Sequence, residues 1–298
     1  MSVRLLTNWF IATRPWSFTM TLISVSVGSA PAALDGSFSW GLCLLAAAGA
    51  VFMHAGTNLL NDYYDVKHGL DTLFSATAQY RPHAIVHGLL PAEQVFRAAC
   101  GLFAAASLIG VYLAFASGWM VLLIGLVGVL AGIGYTAPPM KYKYLALGEV
   151  SVFLMWGPLM IEGAYYVQTH VLSFQAFLIS IPFGLLVALT IFANNIRDID
   201  HDSSRNIRTL AIWLGPDRGV RAYLLLMALA YVSTLFLTLS NMLSLWGLLV
   251  FLSLPLAVQL QRRMARGIPQ DADAMTAKLD TAFGVLLVAA LIIQGLGG

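Results

Sequence analysis

Charge is what this chain has least of. Lys, Arg, Asp and Glu make up 10% of its 298 residues, against about a quarter in an ordinary globular protein. That shortage excludes a water-soluble globule of this length, which would lack the polar surface to cover itself. With 59% hydrophobic residues and a mean hydropathy of +0.80, the chain belongs in a bilayer. Cysteine is nearly absent: Cys43 and Cys100 both fall in apolar stretches, where they read as small packing residues, so a disulfide framework and a zinc site are excluded. The net charge of +2 is dispersed along the chain, which gives no support for nucleic-acid binding. A Ser/His/Asp triad, a Walker loop and a GxGxxG fingerprint are all missing. Hydrolysis and nucleotide-driven transport therefore have no motif to stand on. Nor is there a Pro/Ser/Gly linker or a low-complexity tract, so one membrane domain, 1–298, is expected.

Nine apolar stretches are long enough to cross about 30 Å of hydrocarbon as helices, near 14–34, 39–60, 94–116, 119–137, 147–168, 173–195, 220–239, 242–261 and 279–296. The basic residues test that count. All 16 Lys and Arg fall before the first span or around alternate loops, and the connections near 35–38, 117–118, 169–172 and 240–241 contain none. The positive-inside rule then places the N-terminus and the basic loops in the cytoplasm and the C-terminus outside, as nine spans in an inner (plasma) membrane require. Arg4 and Arg14 ahead of an apolar run, with Ala30-Pro31-Ala32 behind it, also fit a cleaved signal peptide. Cleavage would remove Arg14-Pro15-Trp16-Ser17-Phe18, which suits an interfacial anchor, so the segment is read as the first span.

The scarce carboxylates are bunched at two places: Asn58-Leu-Leu-Asn61-Asp62-Tyr-Tyr-Asp65 and Asn194-Asn195-Ile-Arg197-Asp198-Ile-Asp200-His-Asp202. An Asp at membrane depth costs roughly 2.5–3.5 kcal/mol, so such a group at a helix mouth calls for a compensating cation. His54, Asn58 and Asp62 are spaced i, i+4, i+8 with Asp65 three residues on, and Asn194, Asp198 and Asp202 repeat the spacing four spans later. Each set occupies one helix stripe. The recurrence predicts two similar four-span units, about 14–137 and 147–261, plus a ninth helix at 279–296, with the two mouths facing each other across a central cavity. Chance recurrence at helix ends is the competing account. Gly128 and Gly132, four residues apart, predict close helix packing.

Magnesium takes oxygen ligands and usually binds through one or two carboxylates together with substrate phosphates. Asp62 with Asp65, and Asp198 with Asp202, form two such partial sets, able to clamp a diphosphate between two ions. Asp71, Asn58 and Asn194 are lesser candidate ligands. Lys67, Arg81, Lys141, Arg197 and Arg208 are candidate phosphate contacts, although topology alone also places cations there. Asn58 and Asn194, one turn below the first Asp of each cluster, are further substrate contacts. His54, another turn down, reads as a satisfied core histidine rather than a base. Glu149 suits a helix N-terminus, and Glu162 is either paired or lines a cavity. Tyr135, in Gly134-Tyr135-Thr136-Ala137-Pro138-Pro139, is placed to face the same mouth and to steady an allylic cation with its ring. Tyr165 and Tyr166, at the other end of the fifth span, either offer their rings to such a cation or belong to the interfacial belt.

Together, Asn61-Asp62-Tyr63-Tyr64-Asp65-Val-Lys67-His-Gly69-Leu-Asp71-Thr72, Gly134-Tyr135-Thr136-Ala-Pro138-Pro139 with Gly148-Glu149, and Asn194-Asn195-Ile196-Arg197-Asp198-Ile-Asp200-His-Asp202 with Arg208-Thr209-Leu210-Ala211 resemble the UbiA superfamily of intramembrane prenyltransferases. Within it, the MenA branch, which prenylates 1,4-dihydroxy-2-naphthoate in menaquinone biosynthesis, is the most similar, on Arg14-Pro15-Trp16-Ser17-Phe18 and Gly163-Ala164-Tyr165-Tyr166-Val167-Gln168 as well. The resemblance covers about residues 10 to 215. It implies an all-α fold of nine transmembrane helices around a central cavity, Mg²⁺ on Asp62, Asp65, Asp198 and Asp202, a polyprenyl diphosphate donor, and an aromatic acceptor. One departure lies between Asp71 and Gly88, where the Gly-Gly-rich stretch of many MenA-like proteins is replaced by Thr72-Leu-Phe-Ser-Ala-Thr-Ala-Gln-Tyr-Arg81-Pro82-His83-Ala-Ile-Val-His87. Alternatives are a superfamily member acting on another acceptor, a membrane terpene cyclase of the same fold, and, more remotely, an ion transporter.

Overall fold

A computed structural model describes residues 3–34, 36–75, 78–79, 82–205 and 207–296. Among them the chain is helical, the one β feature being an isolated bridge between Leu145 and Arg208. The helices are α1 (Val3–Ala12), α2 (Phe18–Leu34), α3 (Trp40–Lys67), α4 (Ala92–Ser117) and α5 (Met120–Gly134). They continue with α6 (Gly148–Thr169), α7 (Phe174–Arg197), α8 (Ile199–Ser203), α9 (Leu210–Leu214) and α10 (Pro216–Leu239). Last come α11 (Leu245–Arg266), which opens with a 3₁₀ stretch to Ser253, and α12 (Ala272–Leu296).

Seven of these, α3, α4, α6, α7, α10, α11 and α12, are long and apolar enough to cross a membrane. The chain is a multi-pass membrane protein. The first and fourth expected spans correspond to α2 and α5, whose 17 and 15 residues reach only about 25 and 22 Å at 1.5 Å per residue. Two boundaries differ most from expectation. The expected span 39–60 continues as α3 through Asp62 and Asp65, and the expected 279–296 begins earlier, at Ala272. Helix α1 was not expected at all.

Packing falls into two main hydrophobic clusters. The larger is built on α7, the most enclosed spanning helix, with Phe183, Leu186 and Leu189 fully buried against Val27 of α2, Tyr223 of α10 and Phe283 of α12. The other joins Ala12 of α1, Leu59 and Leu60 of α3, and Val95, Ala99 and Phe103 of α4. Ser39 and Ser173 cap α3 and α7, each accepting a backbone N–H three residues on, at 3.4 and 3.2 Å. Glu162 accepts from the Ser173 backbone N–H at 3.1 Å through Oε2.

Helix α6 is broken at mid-height by a π segment, Met155–Leu159, that contains Pro158 and a non-helical Gly157. The Met160 N–H reaches five residues back to the Met155 carbonyl, and the Trp156 carbonyl accepts from Ser24 Oγ of α2 at 2.7 Å. At the same level Gly157 meets Gly184 of α7, where an added Cβ would lie 2.9 Å from the Gly157 Cα. Small residues there let three helices approach closely. Deeper in the bundle, the fully buried carboxylate of Asp280 accepts from Thr190 Oγ1 at 3.2 Å and Thr281 Oγ1 at 3.3 Å.

Candidate active site

The C-terminal ends of α3 and α7 open into one cavity of about 830 Å³. Asp65, Asp71, Asp198 and Asp202 all line it, with Asn58, Asn61, Asn194 and Asn195 below them. Along α3 the lining runs from Ala46 to Asp65, about 28 Å at 1.5 Å per residue, so the cavity is roughly as deep as a membrane's hydrocarbon. Its rim is acidic and its lower walls are apolar, with Met53, Ile109, Leu113, Val121 and Ile124 among them.

Each rim carboxylate holds a partner. Asp62, buried at the end of α3, pairs with Arg14 from 48 residues away. The turn between α1 and α2 carries Arg14 there in a left-handed conformation (φ 55°). Asp65 accepts from Lys143 Nζ at 2.6 Å, from Asn61 Nδ2 at 2.9 Å and from the Tyr144 hydroxyl. Burial by itself would lower the Lys143 pKa, but the Asp65 charge beside it leaves the ammonium above its ordinary value. Gly69, at φ 72°, lets the chain reverse after α3, which brings Asp71 back beside the mouth. Burial pushes the Asp71 carboxyl up, but the His83 hydrogen bond and the Lys143 and Arg14 charges outweigh it and hold it at about 2.

His83 is buried, with Nε2 3.1 Å from Asp71 Oδ2 and 3.8 Å from Asp62 Oδ1. Its Nδ1 faces the backbone N–H groups of Ile85 and Val86 at 3.3 and 3.2 Å. Those groups can only donate, so Nδ1 accepts and the ring proton sits on Nε2, pointing at the carboxylates. Three metal-capable side chains thus converge, Asp62, Asp71 and His83, with ligand atoms within 4.8 Å of one another, yet His83 is set up as a donor to the two acids.

On the opposite rim, Arg197 forks onto Asp198 at 2.8 and 2.9 Å. It also donates to Asn194 Oδ1 (2.6 Å), Asp273 Oδ1 (3.0 Å) and the Gln270 carbonyl (3.0 Å). Burial, and next the neighbouring Asp198, push the Asp202 carboxyl above the usual carboxylate range. The rims are joined: Arg205 donates to the Leu70 carbonyl at 3.1 Å and the Arg208 backbone N–H to the Tyr144 carbonyl at 3.2 Å.

Of the residues expected at the site, Asn58, Asp65, Asp71, Tyr135, Asn194, Asp198 and Asp202 line this cavity. Asp62 sits behind the rim, buried with Arg14. Arg197 also stands behind it, as a brace on Asp198. Lys67, Lys141 and Arg208 are not in the lining: Lys67 is exposed and stacks over Tyr63 and Tyr64 at 5.4 and 5.9 Å, and Arg208 is also exposed. Arg81 lies outside the described residues. Neither Tyr165 nor Tyr166 lines the cavity, and both are buried. Glu149 is a strut, accepting from Asn195 Nδ2 at 2.8 Å. His54 is a satisfied histidine in the cavity wall, bonded to Thr21 (2.8 Å) and Ser17 (3.2 Å) and set edge-on between Phe18 and Trp156. Sequence reasoning missed Arg14, Asn61, His83, Lys143 and Tyr144. For Lys143 the signal was present, since it stands two residues from Lys141, but a turn of unknown shape does not say which of the two faces inward.

Hard oxygen donors facing one cavity suit Mg²⁺. The acids Asp62, Asp65, Asp71, Asp198 and Asp202 also outnumber the fixed cations Arg14, Lys143 and Arg197 paired with them, which leaves the mouth an excess of negative charge for a metal to balance.

Among characterised proteins, a 1,4-dihydroxy-2-naphthoate octaprenyltransferase of Bacillus subtilis is 34% identical over 95% of this chain and 91% of its own length. The UbiA prenyltransferase domain-containing protein 1 of Danio rerio is 32% identical over 97% of this chain and 85% of its own. The fold is shared with a UbiA homolog from Archaeoglobus fulgidus solved with GPP and Mg²⁺, at a TM-score of 0.68 and 15% identity over 95% of this chain and 99% of that one. A UbiA homolog from Aeropyrum pernix K1 has the same TM-score at 17% identity, over 92% and 97% of the two chains. The profile of the UbiA prenyltransferase family matches residues 21–288, a stretch that contains both acidic helix ends, and on that match this chain belongs to the UbiA family and is a prenyltransferase.

Proposed function

We propose that this protein transfers a polyprenyl group from its diphosphate to 1,4-dihydroxy-2-naphthoate, with Mg²⁺, at the cytoplasmic face of the inner membrane, in an arrangement of nine spans. The observation that carries the reading is the single deep cavity with acids from both motifs on its rim and apolar walls beneath. The Bacillus subtilis relative supports the acceptor, and the Archaeoglobus fulgidus homolog with GPP and Mg²⁺ supports donor and metal.

Asp62, Asp65, Asp71, Asp198 and Asp202 would hold the metal. Bound there, Mg²⁺ supplies the positive charge that makes the diphosphate a good leaving group. Arg14 and Lys143, already beside the acids, add donors for phosphate oxygens as the C–O bond ionises. Tyr135, in the cavity wall with its ring centroid 5.8 Å from Lys143 Nζ, is the aromatic near enough to the acids to steady the allylic cation, and the apolar walls keep out water that would quench it as an alcohol. The acceptor ring then attacks the allylic carbon, and the carboxyl group leaves as CO₂ when the acceptor is dihydroxynaphthoate.

Product mass spectrometry tests this with purified protein, Mg²⁺, prenyl diphosphates of several lengths and a panel of aromatic acids. Prenylated, decarboxylated naphthoquinol is the expected product. Turnover only with another aromatic acid would overturn the acceptor, and cyclised product without any acceptor would overturn the transfer reaction.

Replacing His83 with Ala is expected to weaken Mg²⁺ binding by about 10- to 100-fold, as loss of a group that orients ligands does. The order of preference among Mg²⁺, Mn²⁺ and Zn²⁺, read by calorimetry, should not change. A lost preference for Zn²⁺ would instead make His83 a ligand.

Gly128 and Gly132 both line the cavity, but a Cβ at Gly132 would meet Thr57 Oγ1 at 2.7 Å, whereas one at Gly128 meets nothing within 4 Å. Gly132 is thus the packing residue, and Gly128 borders open space. Gly128→Val, which adds three carbons, is expected to lower kcat/KM for long prenyl diphosphates by about 10- to 100-fold, since a single surplus methylene in an apolar pocket already costs about 10-fold or more, with little effect on short ones or on Tm.

A further inference from the structure

Away from the cavity, the second half of α11 carries a feature that prenyl transfer does not use. Leu254, Val258, Arg262 and Arg266 are spaced four residues apart and form one stripe along the helix, with Pro255, Gln259 and Arg263 beside it. These seven residues line a groove of about 620 Å³. From Leu254 to Arg266 the stripe is about 18 Å long at 1.5 Å per residue. Its Leu254 end is apolar and its Arg266 end, on the side of the acidic rim, cationic, while the other side of the helix is buried through Ala257, Leu260 and Met264.

Arg262, Arg263 and Arg266 are all exposed, and among the described residues no hydrogen bond or salt bridge joins their side chains to an acid. They stand at i, i+4 and i, i+3 to one another, where like charges repel. The positive-inside rule accounts for their sign, and the helix C-terminus favours a cation. Neither accounts for three guanidinium groups lining one groove at the end of an apolar strip with no acid bonded to them.

We propose that this groove is a binding site for an anionic phospholipid, its phosphate held by Arg262, Arg263 and Arg266 and an acyl chain lying along Leu254, Pro255 and Val258. A free phosphate would satisfy only the cationic end. A lipid satisfies both ends at once, and its amphiphilic order matches the stripe.

Native mass spectrometry of the full-length protein with added phosphatidylglycerol or phosphatidylcholine tests the proposal. Wild-type protein is expected to favour phosphatidylglycerol, and each Arg→Gln change at 262, 263 or 266 to weaken that binding roughly 5-fold, the worth of one basic residue near an anionic surface. Val258→Asn should weaken binding of both lipids while leaving the headgroup preference intact. Arg262→Gln, Arg263→Gln and Arg266→Gln combined should abolish the preference, and if that triple variant cannot be purified folded, Arg266→Gln alone, a change at an exposed side chain, gives the same reading. An undiminished phosphatidylglycerol preference in these variants would overturn the site. Competition by glycerol phosphate as effective as the lipid itself would overturn the lipid in favour of a bare anion.

Discussion

Replacing Asp198 with alanine is expected to lower kcat by about 10²- to 10³-fold, the scale on which one group stabilising developing charge is lost. Asp198 makes a cleaner test than Asp62. Its partner Arg197 keeps Asn194, Asp273 and the Gln270 carbonyl as acceptors, so no buried charge is stranded and the fold should survive. Removing Asp62 takes the paired carboxylate from Arg14, and a loss of activity there would mix chemistry with instability. Single-turnover prenyl transfer at saturating Mg²⁺, alongside thermal unfolding, separates the two effects. Near wild-type turnover in the Asp198 variant, with unfolding unchanged, would remove that acid from the reaction.

A second large effect is expected far from the acids, at Gly28 of α2. A Cβ built there would lie 2.2 Å from the Ile161 carbonyl oxygen of α6 and 2.8 Å from the Ala164 Cβ. The nearest obstacle is backbone, which cannot swing aside as a long side chain would. Gly28→Val must therefore push α2 off α6, at a cost of about 3 kcal/mol or more, the upper end for overpacking. For a chain of this size that lowers Tm by on the order of 10 °C. Because α2 also carries Thr21 and Ser24, which bond Trp156 through its ring N–H (3.1 Å) and its carbonyl, activity at low temperature should fall as well. Thermal unfolding in detergent checks the first effect and turnover near 4 °C the second. An unchanged Tm would mean that the α2–α6 contact yields.

Local periodicity made part of this architecture legible in the sequence. The stripe His54, Asn58, Asp62, Asp65 survives as a stripe because α3 continues to Lys67, and seven of the nine apolar stretches read as spans correspond to helices long and apolar enough to cross a membrane. Long-range contacts left no such trace. Arg14 looks like an interfacial anchor until the turn after α1 carries it onto Asp62. His83 meets Asp71 across twelve residues of sequence, and Lys143 rather than Lys141 faces Asp65 because of a short 3₁₀ turn, Tyr142–Tyr144. The short helices α2 and α5 defeat a length rule from the other side: their termini are set by Pro15 and Ser17 before the one and by Tyr135 to Pro139 after the other, not by the end of apolar sequence. Asp280 passes unnoticed in a sequence because a lone acid near an expected helix start looks solvated, whereas the longer α12 buries it completely.

The two hydrophobic clusters have a mechanical meaning. Asp65 is carried by the cluster of α3 and α4, Asp198 by the one centred on α7, so the gap between the acids lies along a seam. Any tilt of one half against the other widens or narrows that gap by a lever arm nearly as long as the helices. What resists such a tilt where the acids stand is the pair of hydrogen bonds that cross the mouth, Arg205 to the Leu70 carbonyl and the Arg208 N–H to the Tyr144 carbonyl.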